Sequence, residues 1–360
     1  MARPAPARDY SLIGKDAEAA VANGLADARW YKTEIPRKQL KALMTRRDGP
    51  AIRDTVIWLG LMVGFAAMAV SLWGSWWSVP FFAAYGVLYG SATDSRWHEC
   101  SHGTAFRTRW MNDAVYHLAS FMIMREPTYW RWSHARHHSD TIIVGRDPEI
   151  AAMRPPNLLL IGLKFLGIRG VLITARNVFR HALGQISEEE KSFIPQSEWP
   201  KLVREARIWL VIHALPIAAG LIYGSWLPVL LVGPLPTLYG AWLHVYFGIT
   251  QHVGLAENVL DHRLNSRTIY MNPVFRFIYW NMNYHVEHHM FPMVPYHRLP
   301  ELHEIVKPDT PPAYRSTIEA YAEIIPALAR QVREPDWCIE RTLPATARAF
   351  QPGAGTNSEE

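Results

Sequence analysis

Two long stretches without a single Asp, Glu, Lys or Arg limit what this chain can fold into more than any other feature. One runs from Thr55 to Thr93 and the other from Ile208 to Ala256. A bilayer crossing takes roughly 20 predominantly apolar residues, so each stretch has room for two transmembrane helices and a turn. The expected spans are about 55–72, 81–97, 208–223 and 229–250. The first turn falls at Gly74–Pro80, beside Trp73, Trp76 and Trp77, an aromatic enrichment typical of a membrane interface; the second falls at Tyr223–Pro228. The expected architecture is all-α and integral to the membrane, with four spans arranged as two hairpins.

The charged residues lie between and around these stretches. Residues 1–53 form a polar arm rich in Lys and Arg from Arg3 to Arg47, with short amphipathic helical pieces near Asp16–Trp30 and Pro36–Arg46. Residues 54–303 make up the membrane domain, and 304–360 a polar C-terminal segment whose Gly-containing tail is expected to be disordered. A short apolar patch at Met111–Met124 is too brief to cross. The run Leu158–Ile173, which contains Lys164 and Arg169, reads as an interfacial amphipathic helix. With two crossings per stretch, the arm, the middle region and the C-terminal segment share one face. Their basic bias makes that face cytoplasmic, and a bacterial inner membrane is the expected location.

The net charge of +5 fits basic helix flanks, and no basic run is dense enough to suggest nucleic-acid binding. Cys100 and Cys338 are the only cysteines. They exclude a disulfide framework and a cysteine-ligated iron–sulfur cluster within the chain. Any such cluster belongs to a partner.

Half of the sixteen histidines are grouped: His98 and His102 in WHECSH, His134, His137 and His138 in HARHH, and His285, His288 and His289 in HVEHH. Spacings of three and four put side chains on one helix face. An HxxxH pair arises often by chance, whereas independent placement predicts only roughly 0.03 HxxHH boxes in a chain of this histidine content. Two such boxes make a strong metal signal. Imidazole suits iron, zinc, copper and nickel rather than hard oxygen-seeking ions. Eight histidines exceed the three or four of a tetrahedral zinc site, so two metals of higher coordination, and iron in particular, are expected. A ninth ligand is His252, just past the fourth span, with His244 inside that span as its rival. His117, His181, His213, His262, His297 and His303 lack such spacing and read as structural.

Metal-bound histidines usually hold a carboxylate or carbonyl on the second ring nitrogen. Glu99, Glu126, Asp147, Glu149, Glu287 and Asn283 are near the boxes in sequence. Asp147 and Glu287 are the favoured partners, with Asn283 a further candidate. Trp97, Trp130, Trp132 and Trp280 flank the boxes and read chiefly as interface anchors. Cys100 reads as a small packed residue.

These motifs resemble the membrane fatty acid desaturase and hydroxylase superfamily, from about Thr55 to His303. The string NMNYHVEHHMFPMVPYHRLPELH is especially similar to acyl-chain desaturases. The resemblance implies two non-haem iron ions held by His98, His102, His134, His137, His138, His285, His288 and His289 in a cytoplasmic helical cap, with His252 as the ligand after the fourth helix. It implies an O2-dependent oxidoreductase acting on an acyl lipid or other apolar substrate. The Asn-Tyr-Glu-His-Tyr motif of alkane hydroxylases is missing, as is the His-Pro-Gly-Gly haem motif of a fused cytochrome b5. The electron donor is therefore expected to be external, a ferredoxin with its reductase. The arm and the GRDPEI segment also resemble a bacterial branch of hydrocarbon oxygenases that includes rhizopine demethylase-like proteins.

Desaturation of a fatty acyl chain is the leading expectation. Hydroxylation or oxidative demethylation of another substrate would use the same site. A membrane zinc hydrolase and a metal transporter are the non-redox readings. A transporter would carry its ligands near the bilayer midplane, whereas these boxes lie outside the uncharged stretches.

Overall fold

The computed structural model describes residues 8–350. Arg3 and the tail from Gln351 onward, expected to be disordered, lie outside the described residues. Among those described there are helices and no strands, only two isolated β-bridges.

The first uncharged stretch forms two helices. Asp48–Ser71 is continuous and, with the preceding Arg37–Leu43 piece, is long and apolar enough to cross a membrane. Beyond a tight turn with exposed Trp76 and Trp77, the chain returns as Ser78–Gly86, a π-helical segment Val87–Ala92, and Thr93–Ser101. The first histidine box thus sits at the far end of this helix. The π segment lies against the chain around Gly240. Gly86 and Gly240 approach so closely that a Cβ on Gly240 would fall inside contact distance of the Gly86 backbone, and Ser91 Oγ donates to the Gly240 carbonyl at 2.6 Å.

Trp199–Tyr223 is the second helix long enough to cross, beginning nine residues before the expected span. The expected continuous helix over 229–250 is broken. It consists of Leu227–Leu231, Pro234–Gly240 and Trp242–His252. Pro234 and Pro236 donate no backbone hydrogen bond, and Gly233 has φ +95°. The freed Gly233 N–H donates to Tyr89 Oη at 3.0 Å. The amphipathic run is also not one helix. Leu158–Lys164 and Ile168–Ala182 meet at 79° across Gly167, which has φ +68°, and the pair counts as a third candidate span if taken as one broken crossing. Its outer face exposes Leu159, Leu166, Leu172 and Phe179.

The arm forms Lys15–Ala22 and Arg37–Leu43 and does not hang free. Lys15–Ala22 packs so tightly on Gly145 that any side chain there would collide with its backbone. Tyr31 N–H donates to the Leu260 carbonyl at 2.9 Å, and the Tyr31 and Thr33 hydroxyls both reach Asp309 at 2.5 Å. The arm is therefore a strap across the helical layer that carries the boxes.

Candidate metal centre

Box one ends the Thr93–Ser101 helix, which is anchored two residues before His98 by Arg96. The Arg96 guanidinium is fully buried, donates to the carbonyls of Ala92 at 2.8 Å and Ile278 at 2.9 Å, and lies over the rings of Trp58, Phe277 and Trp280. Box two lies on Pro127–Ser139, whose first position is a proline, where a missing N–H costs nothing. Box three occupies the short helix His285–Met290. His252 closes the Trp242–His252 helix.

These four elements bring nine imidazoles into two adjacent groups. His98, His102, His134, His138 and His288 form one; His137, His252, His285 and His289 form the other. Within each group the candidate ligand atoms all lie within 4.8 Å of one another. Sequence neighbours part company here: His137 and His138 point to different groups, as do His288 and His289. A box with adjacent histidines is thus what lets one helix serve two centres.

The donor geometry fits metal ions. Nε2 of His288 is 2.7 Å from Nε2 of His98 and 3.2 Å from Nε2 of His138. Nε2 of His285 is 2.9 Å from Nε2 of His252 and 3.0 Å from Nε2 of His289. Two nitrogens each about 2.1 Å from an ion and at right angles stand about 3 Å apart. Hydrogen bonding cannot replace the ion throughout. His252 Nδ1 donates to the Asn265 carbonyl at 2.8 Å and His137 Nδ1 to Asp147 Oδ2 at 2.9 Å, so when these rings are neutral their Nε2 atoms carry bare lone pairs aimed inward. Burial, together with the neighbouring imidazoles, pushes the pKa values of His138, His285, His288 and His289 well down. That keeps them in the neutral form a metal requires.

The outer partners divide unevenly. Burial opposes protonation of His137, but Asp147 outweighs it and raises its pKa. His134 Nδ1 donates to Glu149 Oε2 at 3.2 Å. Burial works against the Glu149 charge, yet the His134 ring brings its pKa down to about 2. His289 Nδ1 meets Thr141 Oγ1 at 3.2 Å.

One favoured partner, Glu287, and the further candidate Asn283 are placed elsewhere. Glu287 bonds His303 Nδ1 at 2.6 Å and Thr268 Oγ1 at 2.5 Å rather than a box histidine. It points away because it sits between His285 and His288 on the opposite side of the helix. Asn283 donates to the Ile269 carbonyl at 2.7 Å and ties down the entry to box three. Glu126 belongs to another pair: it accepts from His181 Nδ1 at 2.9 Å, while Glu190 meets His181 Nε2 at 3.1 Å. Between His252 and His244 the geometry separates cleanly. His244 Nδ1 faces Asp94 Oδ2 at 3.2 Å, outside both groups. His262, read as structural, packs against His289 with ring centroids 5.0 Å apart and planes tilted by 34°. Its only sequence signal was proximity to His252.

Long apolar helices and nine converging imidazoles define a helical membrane protein built around paired histidine clusters. Residues 74–321 match the family model for fatty acid desaturases. The chain belongs to the fatty acid desaturase family and is a membrane oxidoreductase of that kind. It is 27% identical over 285 residues to a probable fatty acid desaturase, DES1, of Sorghum bicolor, covering 71% of this chain and 69% of the relative. It is 23% identical over 301 residues to the sn-1 acyl-lipid omega-3 desaturase (ferredoxin) of Nostoc sp. (strain 36), covering 77% and 79%. A fatty acid conjugase, FAC2 A, of Calendula officinalis is 25% identical over 243 residues, covering 59% and 63%.

Proposed function

We propose that the nine histidines hold two iron ions, one in each group, and that the protein uses dioxygen and external electrons to desaturate a fatty acyl chain of a lipid. The observation that carries this reading is the convergence of nine buried or half-buried imidazoles, eight of them linked by 2.7–3.2 Å Nε2 separations. When bound, the pair of irons would supply the oxidising power to break an unactivated C–H bond. The overall reaction takes two hydrogens from adjacent carbons, with two electrons and two protons from outside, and turns one dioxygen into two waters.

The chain's own residues do the remaining work. Asp147 and Glu149 orient the rings of His137 and His134, and the backbone carbonyl of Asn265 orients His252. Groups of five and four donors fall short of an octahedral set, which leaves positions open. Among the described residues no carboxylate joins either group, and the burial of most rings limits the access of bulk water to the centre.

The lipid substrate and the ferredoxin are inferred from the Nostoc relative, whose name states both; a ferredoxin reductase completes the electron supply. Four crossings, made by Asp48–Ser71, Ser78–Ser101, Trp199–Tyr223 and the broken return Leu227–His252, put the boxes and the arm on one face, read as cytoplasmic in a bacterial inner membrane from the basic bias of the arm.

Turnover with labelled dioxygen tests the reaction. A lipid product two hydrogens lighter, without label, is expected. Label retained in the lipid would replace desaturation by hydroxylation.

A further inference from the structure

One line of rings connects the surface to the four-histidine group. Trp30, half-buried on the arm, stacks on buried His262 with centroids 4.3 Å apart and planes within 5°. His262 in turn packs against His289 at 5.0 Å and 34°. His289 Nε2 is 3.0 Å from His285 Nε2. Three rings therefore span from outside to the proposed centre with no larger gap than ordinary ring packing.

The stack is held from several sides. Trp30 Nε1 donates to the Ser139 carbonyl at 2.9 Å, at the end of the box-two helix. The neighbouring Tyr31 is clamped beneath the Arg263 guanidinium, which is itself paired with Asp261 and Asp309. Around Trp30 the strap is basic: Arg29, Lys32, Arg37, Lys38 and Lys41 are exposed. Among the acids there, Asp27 is exposed and Glu34 is paired with Arg348.

We propose that Trp30 is the electron entry point: an acidic, reduced iron–sulfur protein docks on the basic strap, and its electron tunnels through the Trp30–His262 stack to the centre at His289. This rests on the redox reading above. Each encounter moves one electron. The donor's cluster is oxidised by one, the centre gains one, and neither ring is itself reduced. Two encounters supply the two electrons that one desaturation requires. Charge complementarity sets the docking rate and its salt dependence.

The test uses the full-length holoenzyme in mild detergent and a plant-type ferredoxin as probe. Ferredoxin binding is measured calorimetrically at low and high salt, and reoxidation of reduced ferredoxin by stopped-flow absorbance without oxygen, at saturating donor. Dithionite, a small reductant that needs no docking site, gives the reference rate of reduction. The double charge reversal Lys32→Glu with Lys38→Glu is expected to weaken binding by about tenfold at low salt and little at high salt. Trp30→Leu and His262→Leu are expected to lower the ferredoxin-driven rate relative to the dithionite-driven rate by about tenfold, with Trp30→Phe and His262→Phe restoring most of it because they keep the ring. Unchanged ratios in both leucine variants would overturn the path, and salt-independent binding indifferent to the charge reversal would overturn the docking surface. Ferredoxin oxidised through Trp30 without any lipid product would instead sink the desaturase reading and leave this path standing.

Discussion

Asp147 holds two groups at once: Oδ2 accepts from His137 Nδ1 at 2.9 Å and from the Ile142 backbone N–H at 2.8 Å. The same carboxylate that orients a ring of the four-histidine group also fixes the turn after box two. Its other oxygen accepts from the Glu149 N–H at 2.8 Å, and Glu149 then reaches His134 in the five-histidine group. One short segment, GRDPEI, thereby steadies one ring in each group. Removing an outer partner of this kind typically costs about 10- to 100-fold in metal affinity. Asp147→Ala is expected to lose that much iron affinity, measured by competition with a chelator, while remaining in the membrane. Iron retention equal to the parent would show that the carboxylate does not support the site.

His252 and His244 offer a clean contrast. His252→Ala should lower bound iron and abolish turnover, because it takes one donor from a group of four. His244→Ala should keep its iron, because that ring faces Asp94 instead. Metal analysis of the two purified variants checks both, and iron loss confined to His244→Ala would reverse the assignment.

The helix crossing at Gly240 tolerates no side chain. Gly240→Leu is expected to destabilise the protein by at least about 1–3 kcal/mol, the usual range for overpacking, since its Cβ would meet the Gly86 backbone. Thermal unfolding in detergent should show a clear drop. Gly248→Ala, where no atom lies near the added Cβ, should not.

His181 sets a pH dependence away from the clusters. Burial opposes its charge, but hydrogen bonds to Glu126 and Glu190 prevail and raise its pKa from 6.5 to about 9. A pKa raised on folding contributes stability that is fully present below the unfolded value and lost as pH rises through the folded one. The melting temperature should therefore fall between about pH 6.5 and about pH 9. His181→Gln should start lower and flatten over that window. An equally steep fall in the variant would place the titration elsewhere.

What could be read from sequence was whatever depends on local spacing. The charge-free stretches at Thr55–Thr93 and Ile208–Ala256 announce apolar helices, and HxxHH places its rings along one helical turn. Breaks set by backbone conformation were harder to see. Gly167 and Gly233 both adopt positive φ, and a glycine within an apolar run does not reveal whether it will. Long-range pairings were hidden altogether. Glu287 lies between two box histidines in sequence, yet helix geometry turns it toward His303. The stacking of Trp30 on His262 depends on contacts more than two hundred residues apart.

Iron content after iron-replete expression and purification in mild detergent tests the central claim most directly. About two irons per chain are expected, one for each histidine group, with oxygen consumed when reduced ferredoxin and lipid are supplied. Stoichiometric zinc in place of iron, with no oxygen consumption, would contradict it.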